Sequence, residues 1–133
     1  RDEGVVRLFQ SHRPKYGDGE QVRDFVYVKD AVEMTLYFLD NPRVHGVFNI
    51  GTGRARSWND LAAAIFAALG REGTVEYVPM PETIRAKYQY HTQADTAKLR
   101  KAGYAGECRS LEQGIAEYVR DYLLPATSIT GTR

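Results

Sequence analysis

The fold of this chain is decided by the stretch Arg23-Asp24-Phe25-Val26-Tyr27-Val28-Lys29-Asp30. Its first part has a two-residue period, which predicts a strand over residues 22–28 with Arg23 on the same face as Phe25 and Tyr27. Beyond that strand the apolar residues recur at helical spacing in two stripes, so a helix follows directly. A helix that is apolar on two sides is expected to be buried on two sides.

Downstream, the run Val47-Phe48-Asn49-Ile50 is short and apolar, as interior strands are, and Gly51-Thr52-Gly53 follows it. Glycines after a strand most often permit a tight turn, and a Gly-x-Gly without a third glycine is weak evidence for a dinucleotide site. A phosphate could still approach the backbone N–H groups of this turn. Together the helix and this run predict an α/β chain in which both elements pack against a larger body.

Local signals predict the remaining elements. Residues 5–9 and 75–78 are β-prone. Residues 57–60 and 110–113 fit the capping box, in which a serine oxygen accepts an early backbone N–H and a side chain three positions on reaches back. A helix is therefore expected to begin at each box, and the second one carries a continuous apolar stripe over residues 111–123.

Composition argues against several classes of function. The 133 residues carry a formal net charge of +1 and no long block of lysine or arginine, so neither nucleic acid nor a membrane is an expected partner. No apolar stretch approaches the roughly 20 residues of a membrane span. Cys108 is the single cysteine, and three widely spaced histidines do not suggest a metal site. A reducing cytoplasm is the expected compartment.

Residues 23–30 and 48–53 resemble the second half of a nucleotide-sugar epimerase of the extended short-chain dehydrogenase/reductase (SDR) family. The first half of such enzymes carries a Gly-x-x-Gly-x-x-Gly loop for NAD(P) and a catalytic Tyr-x-x-x-Lys, and neither motif occurs in this sequence. The resemblance implies a small C-terminal substrate-binding domain over residues 1–125, within which 28–53 supply a helix and a strand that complete the missing Rossmann domain. Residues 126–133 have no periodicity and are expected to form a disordered tail.

Further segments are similar to the branch of this family that epimerises ADP-heptose at C6, above all Tyr88-Gln89 before Thr92-Gln93-Ala94-Asp95. This resemblance implies an isomerase of lipopolysaccharide inner-core synthesis that is a homo-oligomer at full length. It also implies an ADP-sugar substrate and NADP, with the NADP held by the N-terminal half, so that this chain alone is inactive. The substrate-binding positions that it implies are Phe9, Gln10, Ser11, His12, Arg23 and Tyr88.

The residues themselves leave alternatives open. Arg23 fits a diphosphate, because its planar fork donates paired hydrogen bonds, and it fits an ion pair with Glu20 equally well. Tyr88 lies in a basic aromatic segment that either packs on a nucleotide base or is merely solvated. The shared motifs also fit another nucleotide-sugar epimerase or dehydratase, or a stand-alone nucleotide-sugar binding module.

Overall fold

The computed structural model describes residues 4–124, and it confirms the predicted mixed α/β class. The elements in chain order are β1 (Val5–Phe9), β2 (Val22–Arg23), α1 (Val28–Asp40), β3 (Arg56–Ser57), α2 (Trp58–Ala68), β4 (Thr74–Val78), α3 (Glu82–Arg85), α4 (Ala97–Lys101) and α5 (Leu111–Tyr118), which continues as a π-helical turn over Val119–Leu123. The tail predicted over residues 126–133 lies outside the described residues.

The strands form two sheets of two strands each. In the first, β1 and β4 run parallel with Leu8 opposite Tyr77, and α2 packs against both β1 and α5. In the second, β2 and β3 run antiparallel with Val22 opposite Ser57. The backbone of Val22 also receives a hydrogen bond from Thr92 N and donates one to Tyr90 O, at 3.2 and 2.9 Å. These two bonds fix residues 90–92 beside β2.

The strand predicted over residues 22–28 is wrong beyond Arg23. Residues 24–27 have no regular structure, because the Asp24 side chain turns toward residues 52–53 and Phe25 packs edge-on against Trp58 at 5.2 Å. Arg23 therefore does not share a strand face with Phe25 and Tyr27. The two-residue period is present in the sequence, but it reflects these separate side-chain contacts, because residues 24–27 do not pair with a neighbouring strand among residues 4–124.

The predicted helix is α1, and only one of its two apolar stripes is covered. Met34 is buried with Leu99 and Tyr104 in the main core cluster. The other stripe is open in the described part of the chain, and its exposed members are Val28, Val32, Leu36 and Leu39. The run predicted as an interior strand, residues 47–50, has no strand partner among residues 4–124, and Val47 is 87% exposed. The surface predicted to pack against a larger body is thus free here.

Both predicted capping boxes are confirmed. The Ser57 hydroxyl accepts the Asp60 backbone N–H, and the Asp60 carboxylate accepts the Ser57 N–H, each at 3.0 Å. The same reciprocal pair joins Ser110 and Gln113 at the start of α5. The apolar stripe predicted over residues 111–123 is only partly covered. Tyr118 and Tyr122 are nearly half exposed, and the helix becomes π-helical over Val119–Leu123.

Candidate functional site

The candidate site lies where β1 ends, beside the extended segment that follows α3. Phe9 is the last residue of β1, and its carbonyl accepts hydrogen bonds from Gly19 N and from the side chain of Gln21, each at 3.3 Å. Gln10 N donates to Val78 O at 2.9 Å, so the chain leaves the sheet immediately afterwards. Gln21 is only 1% exposed, so its hydrogen bond to the Phe9 carbonyl holds the end of β1 from inside the fold.

Arg23 and Tyr88 meet at this exit. The Arg23 guanidinium carbon lies 5.1 Å from the centre of the Tyr88 ring, and the Phe9 ring meets the same tyrosine edge-on at 6.2 Å. Cations over aromatic faces are held by the ring quadrupole. The two fixed backbone bonds between β2 and residues 90–92 explain the contact, because they carry Tyr88 to the side of Arg23.

The ion pair between Arg23 and Glu20 does not form. Within residues 4–124 no carboxylate lies at salt-bridge distance from Arg23, whereas Glu20 accepts a hydrogen bond from the Asn59 amide at 2.5 Å. One guanidinium nitrogen of Arg23 donates to its neighbour's carbonyl, Val22 O, at 2.8 Å. Arg23 also lines an open cavity.

This cavity has a volume of about 370 Å³ and is open to solvent. It carries two cationic side chains, an aromatic ring, an amide and one aliphatic side chain. The lining residues are Arg23, Ile84, Lys87, Tyr88 and Gln89. Positive charge beside an aromatic face suits an anionic ligand that also carries a planar or apolar group.

Ser11 and His12 begin the loop that follows this exit. Ser11 N donates to the Asp18 carboxylate at 2.7 Å, which closes the loop on itself. His12 is held by Tyr90, whose hydroxyl lies 3.0 Å from the His12 backbone nitrogen and 2.8 Å from Nδ1. Of the predicted positions, Phe9, Arg23 and Tyr88 therefore form one cluster, and His12 is joined to it through Tyr90.

Gln10 and Ser11 are not part of this cluster. The backbone N–H of Gln10 donates to Val78 O, and Ser11 makes its hydrogen bonds to Asp18 and Arg13 within the loop. Tyr90 was missed by the sequence reasoning. It is 3% exposed and lies two positions from Tyr88, so the two-residue spacing of an extended segment was the available signal. That spacing does not show which loop the second ring meets.

The Gly51-Thr52-Gly53 turn has a structural use. One oxygen of Asp24 accepts Thr52 N at 2.8 Å and the Thr52 hydroxyl at 2.5 Å, and the other accepts Gly53 N and Ala94 N, each at 2.9 Å. Burial raises the pKa of Asp24, but these four hydrogen bonds outweigh it and leave the pKa below its ordinary value. Because a carboxylate already occupies these amides, the turn does not fit the pyrophosphate of a dinucleotide.

A second ionic cluster ties the start of α1 to α5. Asp30 is 1% exposed and accepts both the backbone N–H, at 2.8 Å, and the guanidinium of Arg109. Glu117 accepts from Lys29 at 2.5 Å and from Arg109 at 3.1 Å. The hydrogen bond from Lys29 holds the pKa of Glu117 below its ordinary value. Every charge in this cluster has a partner, so it stabilises the fold and leaves no group for chemistry.

A larger cavity of about 670 Å³ is lined by a separate set of residues. Its walls are mostly aliphatic and aromatic side chains of β1, α2 and α5, and none of the predicted site residues lines it. Among the described residues, no group of three His, Cys, Asp or Glu side chains is placed to hold a metal ion. No helix between residues 4 and 124 is long and apolar enough to cross a membrane.

Comparison with known proteins identifies the family. The model of the NAD dependent epimerase/dehydratase family matches residues 5–51. An ADP-L-glycero-D-manno-heptose-6-epimerase of Nitratidesulfovibrio vulgaris (strain DP4) is 56% identical over 124 residues, which is 93% of this chain and 38% of that protein. The chain belongs to the NAD-dependent epimerase/dehydratase family. The enzyme of the same name from Fusobacterium nucleatum is 44% identical over 92% of this chain and 39% of its own length.

Solved structures agree with this membership in the epimerase/dehydratase family. The ADP-L-glycero-D-manno-heptose-6-epimerase of Helicobacter pylori matches with a TM-score of 0.68 and 30% identity over 87% of this chain and 32% of that one. The UDP-glucose 4-epimerase of Thermus thermophilus, solved with NAD, matches with a TM-score of 0.69 and 25% identity over 89% and 36%. The chain thus spans about two fifths of the length of the curated relatives that it matches.

Proposed function

We propose that this chain is the substrate-binding portion of an enzyme that inverts C6 of ADP-D-glycero-D-manno-heptose, giving ADP-L-glycero-D-manno-heptose for the inner core of lipopolysaccharide. The observation that carries the proposal is the Arg23 guanidinium, which lies over the Tyr88 ring without a carboxylate partner in the described residues. An arginine in this setting suits a diphosphate, since its planar fork matches two oxygens at once. The names of the relatives point to the ADP-heptose.

In this proposal, the residues of the cluster, of the cavity and of the loop beside it have roles that follow from their positions. Arg23 donates to the diphosphate, and Lys87 adds positive charge from the same cavity. The Tyr88 ring packs against the nucleoside, and Phe9 supports it edge-on. Gln10, Ser11 and His12 enclose the ADP from the loop that leaves β1. The role proposed for this chain is to bind and orient the substrate.

The hydride chemistry of such an epimerase belongs to NADP, and residues 4–124 do not fit that cofactor. The turn most similar to a phosphate loop is occupied by Asp24. We therefore assign NADP to the part of the enzyme that this chain does not cover. Residues 28–53 are proposed to pack against that part, which is supported by the open apolar stripe of α1 and by the exposure of Val47.

We further propose an assembly state and a location for the full-length enzyme. Assembly of the full-length enzyme as a homo-oligomer rests on the family resemblance alone. A cytoplasmic location is supported by the lone Cys108, which cannot form an internal disulfide.

The test is a chimaeric enzyme in which this chain replaces the matching segment of the Nitratidesulfovibrio vulgaris relative. Epimerisation of ADP-heptose is followed by chromatography, and the affinities for ADP, UDP and dTDP are measured by calorimetry. We expect turnover and a preference for ADP. Equal or tighter binding of UDP or dTDP would assign the chain to another nucleotide-sugar enzyme, and nucleotide binding without turnover would favour a binding module.

Arg23→Ala is the decisive variant in that chimaera. The loss of charge-assisted hydrogen bonds to a diphosphate is expected to weaken ADP binding by about 10- to 100-fold. Arg7→Ala is the matched control, because Arg7 lies on the neighbouring β1 and is paired with Glu76 at 2.9 Å. Its affinity for ADP is expected to stay within about twofold of the parent. Equal affinities in the two variants would refute the role of Arg23.

A further inference from the structure

Tyr90 joins the two chain segments that form the candidate site. Its hydroxyl accepts the backbone N–H of His12 at 3.0 Å and lies 2.8 Å from His12 Nδ1. Its backbone carbonyl accepts Val22 N at 2.9 Å, which fixes the residue beside β2. One residue therefore connects three segments: its backbone bonds to β2, and its side chain joins the segment that carries Tyr88 to the loop that carries His12.

The Tyr90 ring is held on several sides. Tyr88 meets it edge-on at 5.5 Å, Tyr16 packs at 4.8 Å, and the Arg13 guanidinium lies 4.8 Å from its centre. The ring is almost fully buried, although the loop that it holds is largely exposed. A buried ring that anchors an exposed loop restricts the loop before a ligand binds. Binding then costs less conformational entropy.

The contact with Nδ1 links the Tyr90 hydroxyl to the form of the His12 ring. Because the Tyr90 hydroxyl accepts the His12 backbone N–H, its own proton is available for Nδ1. When Nδ1 accepts, a neutral imidazole carries its proton on Nε2. The histidine then offers an N–H donor from the edge of the ring that faces away from Tyr90.

We infer that Tyr90 is a positioning residue of the substrate site: it holds the His12 loop against the Tyr88 segment and fixes the neutral His12 ring in the Nε2–H form. This inference rests on the proposed function, since it takes the ligand of the site to be a nucleoside diphosphate sugar. Tyr90 itself contacts no ligand in this arrangement. Its effect passes through the place and the donor pattern of His12.

The test uses Tyr90→Phe in the chimaeric enzyme, a change that keeps the ring and removes both hydroxyl contacts. We expect KM for ADP-heptose to rise about tenfold, which corresponds to the net free energy of one hydrogen bond. The kcat should stay within about twofold of the parent. The ¹⁵N signals of His12, recorded at about pH 8, should change from one Nε2–H form to a mixture of both tautomers.

Tyr37→Phe is the matched control. Its hydroxyl also donates a buried hydrogen bond, to Ala102 O at 2.5 Å, but on the core side of α1. Equal KM values for the two variants, or an unchanged His12 tautomer in Tyr90→Phe, would overturn the inference. If the parent chimaera binds no ADP-sugar, the proposed function fails and the inference fails with it. If the parent binds and Tyr90→Phe binds equally well, only the inference fails.

Discussion

Replacing Asp24 by asparagine tests whether one carboxylate organises the centre of this chain. In the structure each carboxylate oxygen accepts two hydrogen bonds, and together they fix the turn 51–53 and the segment at Ala94. An amide has one acceptor oxygen, so at best two of these four bonds remain. Its NH₂ group must then face two donors that lose their partner.

The magnitude follows from these contacts. Two lost hydrogen bonds at about 1 kcal/mol each, together with the desolvation of the donors left unpaired, give a loss of roughly 2–4 kcal/mol in the free energy of unfolding. Asp121→Asn is the matched control, because the salt bridge of Asp121 within residues 4–124 is with the adjacent Arg120 on the surface. The control is expected to lose less than about 0.5 kcal/mol.

The pH dependence gives an independent check of the same carboxylate. The pKa of Asp24 is lower in the folded chain than its ordinary value of 3.8, so its contribution is fully present above that value. The contribution is lost as the pH falls through the lowered pKa. Urea unfolding of the parent and of Asp24→Asn between roughly pH 6 and pH 2 should therefore converge at the acid end. A loss below about 1 kcal/mol at neutral pH, or parallel pH profiles, would refute this account.

Two further predictions concern the core and the open face. Arg109→Leu removes the guanidinium from the buried Asp30 and leaves its backbone donor, so the free energy of unfolding in urea should fall by about 3 kcal/mol. The control, Arg120→Leu, breaks an exposed pair and should lower it by less than about 1 kcal/mol. Equal losses would contradict the stabilising role of the buried ion pair between Arg109 and Asp30. Leu36 and Leu39 are exposed in this chain and are proposed to be covered in the full-length enzyme. Replacing both by lysine should therefore reduce self-association of the isolated chain in sedimentation experiments. The same double change should destabilise the chimaera by roughly 3 kcal/mol. Leu124→Lys, also exposed, is the control, and an equal effect of the two changes would count against the packing surface.

The sequence predicted most of the elements whose causes are local. The capping boxes at Ser57 and Ser110 formed as predicted, because each needs only a side chain and the backbone three residues on. The strand over residues 22–28 failed, since the alternation of its side chains reflects separate contacts with residues 52–53 and Trp58. A two-residue period indicates which side chains are buried. It does not show whether the backbone between them pairs with another strand.

The candidate site divides in the same way. Arg23 and Tyr88 were singled out from the sequence through the family resemblance and from residue type, and the structure brings them into contact. The role of Tyr90 and the use of the turn by Asp24 were not predicted. Both depend on contacts between residues far apart in the chain, 78 positions for Tyr90 and His12 and 28 for Asp24 and Thr52.

By itself, the sequence determined the α/β class, the two helix starts at the capping boxes, the absence of an internal disulfide and the family motifs, because each depends on residue type or short spacing. Only the tertiary structure decided that Arg23 meets Tyr88 instead of Glu20, that Asp24 occupies the glycine turn, and that one stripe of α1 stays open. The physical reason is that burial and hydrogen-bond partners are settled by how distant segments pack, and a charged side chain takes the partner that this packing brings within reach.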